Sequence, residues 1–260
     1  MSYLIKEILI LIAAFAYAWA PFKPVAFADE PEARAIMEQV ENAPRPADQQ
    51  LQMTMILVNS QEQQLTRILE VKKQGDEKSY LEFLEPADVE KTAFLNISHP
   101  DRDDEMYLYL PALHRVRRIA SSSKHRNFMG SDFTYDDMGD RDIDDYTYTL
   151  EDKSVQLSGY GTYLITGIAK DPAETGYSKL RFWIRQDIYM PVQIEYYDLR
   201  GDLKKIQTNS EFKQIQEYWL STHIEMRDVQ ENHKTILEMR DIQVDIGLPE
   251  VTWTQRNLRR

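Results

Sequence analysis

The sequence predicts a mainly β (α+β) chain of short antiparallel strands, with one helix near its start and one long basic–aromatic connection in its middle. Three observations carry this reading. From Gln50 onward the apolar residues recur with period two, as in Leu51, Met53, Met55 and Leu57 opposite Gln52 and Thr54. Turn signals at Gln74-Gly75-Asp76, Ser158-Gly159, Asp171-Pro172, Arg200-Gly201-Asp202 and Glu231-Asn232 separate these runs. Strands spaced at roughly 8–12 residues point to a meander, barrel or sandwich. Finally, no internal repeat and no second composition regime divides the chain.

The first 28 residues read as a signal peptide. Lys6 lies ahead of a short apolar core, Ile8 to Ala20, and Ala26-Phe27-Ala28 places small residues where signal peptidase cuts. A bilayer-spanning helix needs about 20 apolar residues, more than this run supplies. A retained anchor is the alternative, because Glu7 weakens the positive end. Cleavage leaves residues 29–260 as a single domain, soluble and periplasmic, and takes the formal net charge from -12 to -13.

That charge argues against nucleic-acid partners, since phosphate contacts need clustered Lys and Arg. Cysteine is absent, which excludes disulfides, thiolate metal sites, a Cys nucleophile and a lipidated N-terminal Cys. No nucleophile elbow, H-E-x-x-H run or phosphate-binding glycine loop is present, and the five His residues do not group, so an enzyme is not expected. No cofactor is expected either. Asp140, Asp142, Asp144 and Glu151 have the spacing of a calcium loop, but Asp145 stands where that loop needs Gly. A solvated acidic turn is the expectation, with no metal.

Taken in order, residues 29–42 predict a helix capped by Asp29, with Pro31 in its first turn and Ile36, Met37 and Val40 as its apolar stripe. Strands are expected over 50–57, 65–71, 79–84, 93–97, 105–110 and 113–119. After Gly139 they resume over 145–151, 160–169, 177–185, 191–197, 203–212, 219–228 and 235–245, while 251–258 is open between helix and strand.

Residues 107–139 are too rich in Arg, Phe, Tyr and Met for a passive connection, and long loops in compact domains commonly serve as lids or binding loops. Phe128, Met129, Phe133, Tyr135 and Met138 are the candidates for a lid or cavity mouth, with Gly130 turning the chain and Ser131 capping a short helix from Asp132. A fixed plug and a moving gate are both open. Met53, Met55, Met106, Met129, Met138, Met190, Met226 and Met239 suit either a closed core or an adaptable acyl-chain lining. Arg115, Arg117 and Arg118 head the one dense basic cluster, fitted to contact a partner or an anionic headgroup, or to pair with nearby Asp and Glu.

The chain also resembles the LolA/LolB-like superfamily, in particular its outer membrane lipoprotein-sorting protein branch. The residues that carry the resemblance are Phe83 to Asp88, Tyr109 to Leu113 with Arg115, Arg117 and Arg118, and above all Phe128-Met129-Gly130-Ser131-Asp132-Phe133-Thr134-Tyr135-Asp136-Asp137-Met138. Trp183-Ile184 and Pro191 to Gly201 look like its paired C-terminal strands. The resemblance implies a strongly curved, unclosed antiparallel β-barrel whose apolar concave face is covered by helices and a loop. It implies a monomeric carrier that holds acyl chains of a lipoprotein or another lipid and exchanges them with membrane partners. An inner-membrane transporter of the RND superfamily is among the candidate partners, and a sensor or adaptor binding a partner protein through the basic–aromatic loop is the alternative role. The expected cavity or lid contacts are Met53, Met55, Leu110, Phe128, Met129, Phe133, Tyr135, Met138, Trp183 and Tyr196.

Overall fold

The computed structural model describes residues 29–99, 102–139 and 141–259, so the expected signal peptide lies outside the described residues. A helix, α1 (Pro31–Glu41), precedes β1 (Gln49–Val58), β2 (Gln64–Gln74), β3 (Lys78–Glu85), β4 (Ala93–Ile97), β5 (Glu105–Leu110) and β6 (Arg115–Ile119). After residues 120–145 come β7 (Tyr146–Leu157), β8 (Tyr160–Ala169), a short helix α2 (Pro172–Thr175), β9 (Lys179–Arg185) and β10 (Pro191–Tyr197). The sheet is completed by β11 (Leu203–Ile215), β12 (Tyr218–Asp228) and β13 (His233–Val244).

Among the described residues 13 strands form one antiparallel sheet in the order β6-β5-β4-β3-β2-β1-β13-β12-β11-β10-β9-β8-β7, open between β6 and β7. The chain starts in the middle of this sheet, where β1 pairs with β13, and works outward to β6. It must then reach the opposite edge at β7. Residues 120–145 make that crossing over the inner face, where Phe128, Phe133 and Ile143 join the main core. The cover is therefore a consequence of topology: the chain winds outward from the middle to β6 and inward from β7 to β13, so one long link must join the two edges of the sheet.

Side chains that alternate along each strand build that core from the inner face. Met53 and Met55 of β1, Leu69 and Val71 of β2, Phe83 of β3, Phe182 and Ile184 of β9 and Tyr196 of β10 all belong to it. A helix as short as α1 is marginal alone, and Ala33, Ile36 and Met37 dock it on this face. Asp29 does not cap the helix as the sequence suggests. Its carboxylate instead accepts from Tyr148 N of β7 at 2.7 Å, and Glu30 holds the cap position without a side-chain bond.

A smaller cluster lies on the outer face, where Trp253 and Leu258 cover Tyr80, Ala93, Leu95 and Tyr109. The ambiguous final stretch is accordingly two 3-10 turns, Glu250–Trp253 and Asn257–Arg259. β7 runs on to Leu157, past the expected end at residue 151, because register shifts around Asp152 absorb a polar run that reads as a turn.

Candidate functional site

The cover segment folds on itself before it docks. Phe128 N donates to Phe133 O at 2.7 Å and Tyr135 N to Arg126 O at 3.1 Å, closing a tight loop around Met129 and Gly130. Gly130 sits at φ 78, a conformation open to a residue without Cβ. No helix begins at Asp132, contrary to expectation; Ser131 Oγ accepts from Phe133 N at 3.3 Å and makes a local turn. Phe128 is fully buried in an aromatic group, 5.2 Å from the Phe94 ring, 5.5 Å from Tyr135 and 6.1 Å from Phe83.

Three polar anchors tie this loop to the sheet. Arg67 of β2, itself buried, donates to Met129 O at 2.5 Å. Asp132 donates its N–H to Thr235 Oγ1 at 2.9 Å, while its carboxylate accepts from Thr235 and meets His233 Nδ1. Asp137 accepts from Thr134 N at 2.8 Å and lies 3.6 Å from the Lys205 ammonium, which donates to Tyr177 OH at 3.3 Å. Burial raises the Asp132 carboxyl above its ordinary value, against the opposing hydrogen bond from Thr235 and charge of His233. Burial likewise lowers the Lys205 ammonium, with the Asp137 charge opposing. Both shifts have the sign expected of charges taken out of water.

These anchors went unread in the sequence, although β11 carries a signal for one of them. Lys205, Gln207 and Asn209 alternate where an inner-face strand should be apolar. Gln207 accepts from Tyr196 OH at 2.7 Å and donates to Asn209 at 2.9 Å, so a polar row crosses the core.

The structure brings most of the expected cavity residues together. Met53, Met55, Phe128, Phe133 and Tyr196 are buried in the main core, with Leu110, Met129, Tyr135 and Met138 packed at its margin. Trp183 requires a correction. It alternates with Phe182 and Ile184, which point inward, so it lies on the outer face with the Arg181 guanidinium 5.1 Å from its ring. Of the eight Met residues singled out, all but Met190 lie in or against the main core. Arg115, Arg117 and Arg118 are exposed on the edge strand β6, and among the described residues none forms an ion pair. They also divide: Arg115 and Arg117 pair with Leu110 and Leu108 on the inner side, while Arg118 pairs with Tyr107 on the outer.

Among the described residues one cavity adjoins the cover and another lies beside α1. The larger, about 880 Å³, opens between the ends of the sheet, with Met106, Ile119 and Ile194 on its wall. Its lining is chiefly acidic, including Asp103, Asp104, Asp136, Asp142, Asp145 and Glu174 against Lys78, Arg102, Lys124 and Arg141. The second, about 460 Å³, lies beyond the end of α1 and is lined by Val40, Pro44, Pro46, Ile188, Tyr189, Met190 and Trp219. Val40 and Tyr189 also border the main core, so this groove leads toward the covered face. Among the described residues no group of three or more His, Asp or Glu is placed to hold a metal. Asp142 instead caps a turn by accepting from Asp144 N at 2.7 Å, and Asp140 lies outside the described residues.

An open antiparallel sheet with a covered apolar inner face defines the LolA-like class of folds. A domain from Vibrio parahaemolyticus, provisionally named an outer membrane lipoprotein-sorting protein domain, is 33% identical with a TM-score of 0.82, over 88% of this chain and 99% of that one. A DUF1329 family protein from Desulfovibrio piger is 29% identical with a TM-score of 0.80, over 87% and 96%. A LolA superfamily protein from Nitrosomonas europaea shares the fold at 20% identity and a TM-score of 0.69, over 86% and 98%. A family profile described as "-like: Uncharacterized protein" matches residues 75–260. No curated protein matches the chain. The chain belongs to the family of the outer membrane lipoprotein-sorting protein domain and has the LolA-like fold.

Proposed function

We propose that the protein is a periplasmic carrier that takes an acylated cargo, a lipoprotein or another lipid, onto its apolar inner face and exchanges it with membrane partners. The observation that carries this reading is the cover. It shields an apolar face through a few aromatic side chains and through polar ties that include Arg67, Thr235 and Lys205, with no strand of the main sheet in it. With the cover seated, Phe128 and Phe133 occupy the space an acyl chain needs, so loading displaces them. The energies favour exchange: releasing two Phe side chains costs roughly 3–6 kcal/mol, whereas burying a sixteen-carbon chain yields roughly 12 kcal/mol. The groove at Val40 and Tyr189 is the port, and an RND-type inner-membrane transporter is the partner class the family resemblance favours.

Native mass spectrometry of protein purified from the periplasm tests this. Bound lipid, or uptake of an added acyl probe, is expected; protein that is lipid-free and refuses every acyl probe sinks the reading. A second reading, an adaptor that binds a partner protein, is favoured by the unpaired arginines of β6.

A further inference from the structure

The two ends of the open sheet are finished differently. At the β7 end, Glu30 N donates to Tyr148 O at 2.9 Å, Tyr148 N donates to Asp29 at 2.7 Å and Leu150 N to Glu30 at 2.9 Å. The start of the described chain thus closes that edge. At the other end β6 pairs with β5 alone, and among the described residues no further hydrogen bond reaches Arg115–Ile119. An edge strand of this kind presents alternate N–H and C=O groups to solvent, ready to pair with another chain.

Charge marks the same edge. Three of its five residues are arginines without an acidic partner, in a chain whose formal net charge is -12. Two nearby cations are neutralised: Arg102 meets Glu105 at 2.7 Å and Lys124 meets Glu174 at 2.5 Å. Short length and charge also protect an edge against aggregation, and arginines would do that too. Protection alone, however, leaves the spacing without a use. Arg115 and Arg117 face one side of the strand and Arg118 the other, a pattern an incoming strand can read residue by residue.

We propose that β6 is a docking edge for an extended acidic segment of a partner protein, which adds to the sheet by antiparallel pairing. Backbone bonds supply the attachment and the arginines set partner and register. Opposite Arg118, Arg117 and Arg115, an antiparallel strand places acids in the order Glu-Glu-x-Glu. A second copy of this chain is the poorer occupant, because pairing β6 with itself sets arginines near arginines. The inference supplies the partner contact of the carrier reading but stands on different residues from the cargo site.

The test uses the intact exported protein and a synthetic peptide with Glu-Glu-Val-Glu flanked by Thr and Val, against a scrambled peptide of the same composition. Binding is read by fluorescence anisotropy and the location by amide hydrogen exchange. The ordered peptide is expected to bind, to slow exchange in Arg115–Ile119, and to weaken about tenfold on replacing Arg115, Arg117 and Arg118 with Ala. A second variant, Val116→Pro, removes a backbone donor at this edge and is expected to weaken binding with the arginines in place. Unchanged exchange in β6, equal binding by the scrambled peptide, or protection of β6 by anionic phospholipid vesicles alone would each overturn the proposal. Acyl-probe binding is measured on the same samples: its loss alone tells against the carrier reading, and loss of peptide docking alone tells against this one.

Discussion

Lys205 and Asp137 stand 3.6 Å apart with almost no exposure to water. Breaking such a pair on one side strands a charge and typically costs about 3–5 kcal/mol, while removing both partners costs much less. Lys205→Met is therefore expected to destabilise the fold by about that amount, and Lys205→Met with Asp137→Asn to be more stable than Lys205→Met alone. Urea unfolding of Lys205→Met, Asp137→Asn and the double variant checks this; strictly additive losses would show that the pair is not coupled. Asp132 makes a separate prediction about pH. Its carboxyl is raised in the folded state by burial, so its contribution to stability is fully present below the ordinary aspartate value and declines as pH rises through the raised one. Asp132→Asn lacks that titration. The stability of the parent relative to Asp132→Asn should thus fall between roughly pH 4 and the raised value, as seen in paired melting curves; a difference that grows with pH would contradict it. Neither carboxylate stands out in an acidic run such as Asp132 to Asp145. Only the partners from β11 and β13, distant in the chain, single them out.

The cover was legible as a segment and illegible in its attachment. Its aromatics, Gly130 and its length mark a lid or plug in one dimension, and the structure seats Phe128 and Phe133 in the core. Whether it leaves that seat is a question of motion, and the absence of native cysteine makes the test clean. Replacing Asp132 and Thr235, which bond side chain to side chain at 2.7 Å, by a pair of cysteines joins the cover to β13 on oxidation. Acyl-probe uptake is expected to stop in the oxidised variant and return on reduction. Equal uptake in both states would make the cover a fixed plug. β9 shows the limit of the one-dimensional reading. Phe182 to Arg185 is buried on both faces, so Trp183 and Phe182 look alike in sequence, and only the pairing with β8 and β10 turns Phe182 inward and Trp183 outward.

The open sheet leaves two edges to manage, and the chain treats them oppositely. Asp29 and Glu30 seal β7, while among the described residues β6 pairs with β5 alone. That seal bears on export, since Asp29 is the first residue after the proposed cleavage site and already hydrogen-bonds Tyr148. Intact mass measurement of protein expressed from the full sequence and recovered from a periplasmic extract is expected to give Asp29 as its first residue. A mass retaining residues 1–28 would make the N-terminal segment an anchor instead. Among the described residues no helix is long and apolar enough to cross a membrane.

Period-two patterning and turn chemistry are local, so the sequence by itself determined the strands, the inner face of β1, and the helix α1. The family motif at 128–138 likewise located the cover. Strand order, the polarity of the cavities and the anchors of the cover depend on residues far apart in the chain. Lys205 meets Asp137, and Thr235 meets Asp132, only after β11 and β13 take their places in the sheet. The acidic cavity between the sheet's ends arises in the same way, from loops that no local pattern brings together. Tertiary structure alone decided these because their energies come from removing paired charges and aromatic rings from water, and that burial exists only once the sheet has curved and the cover has closed over it.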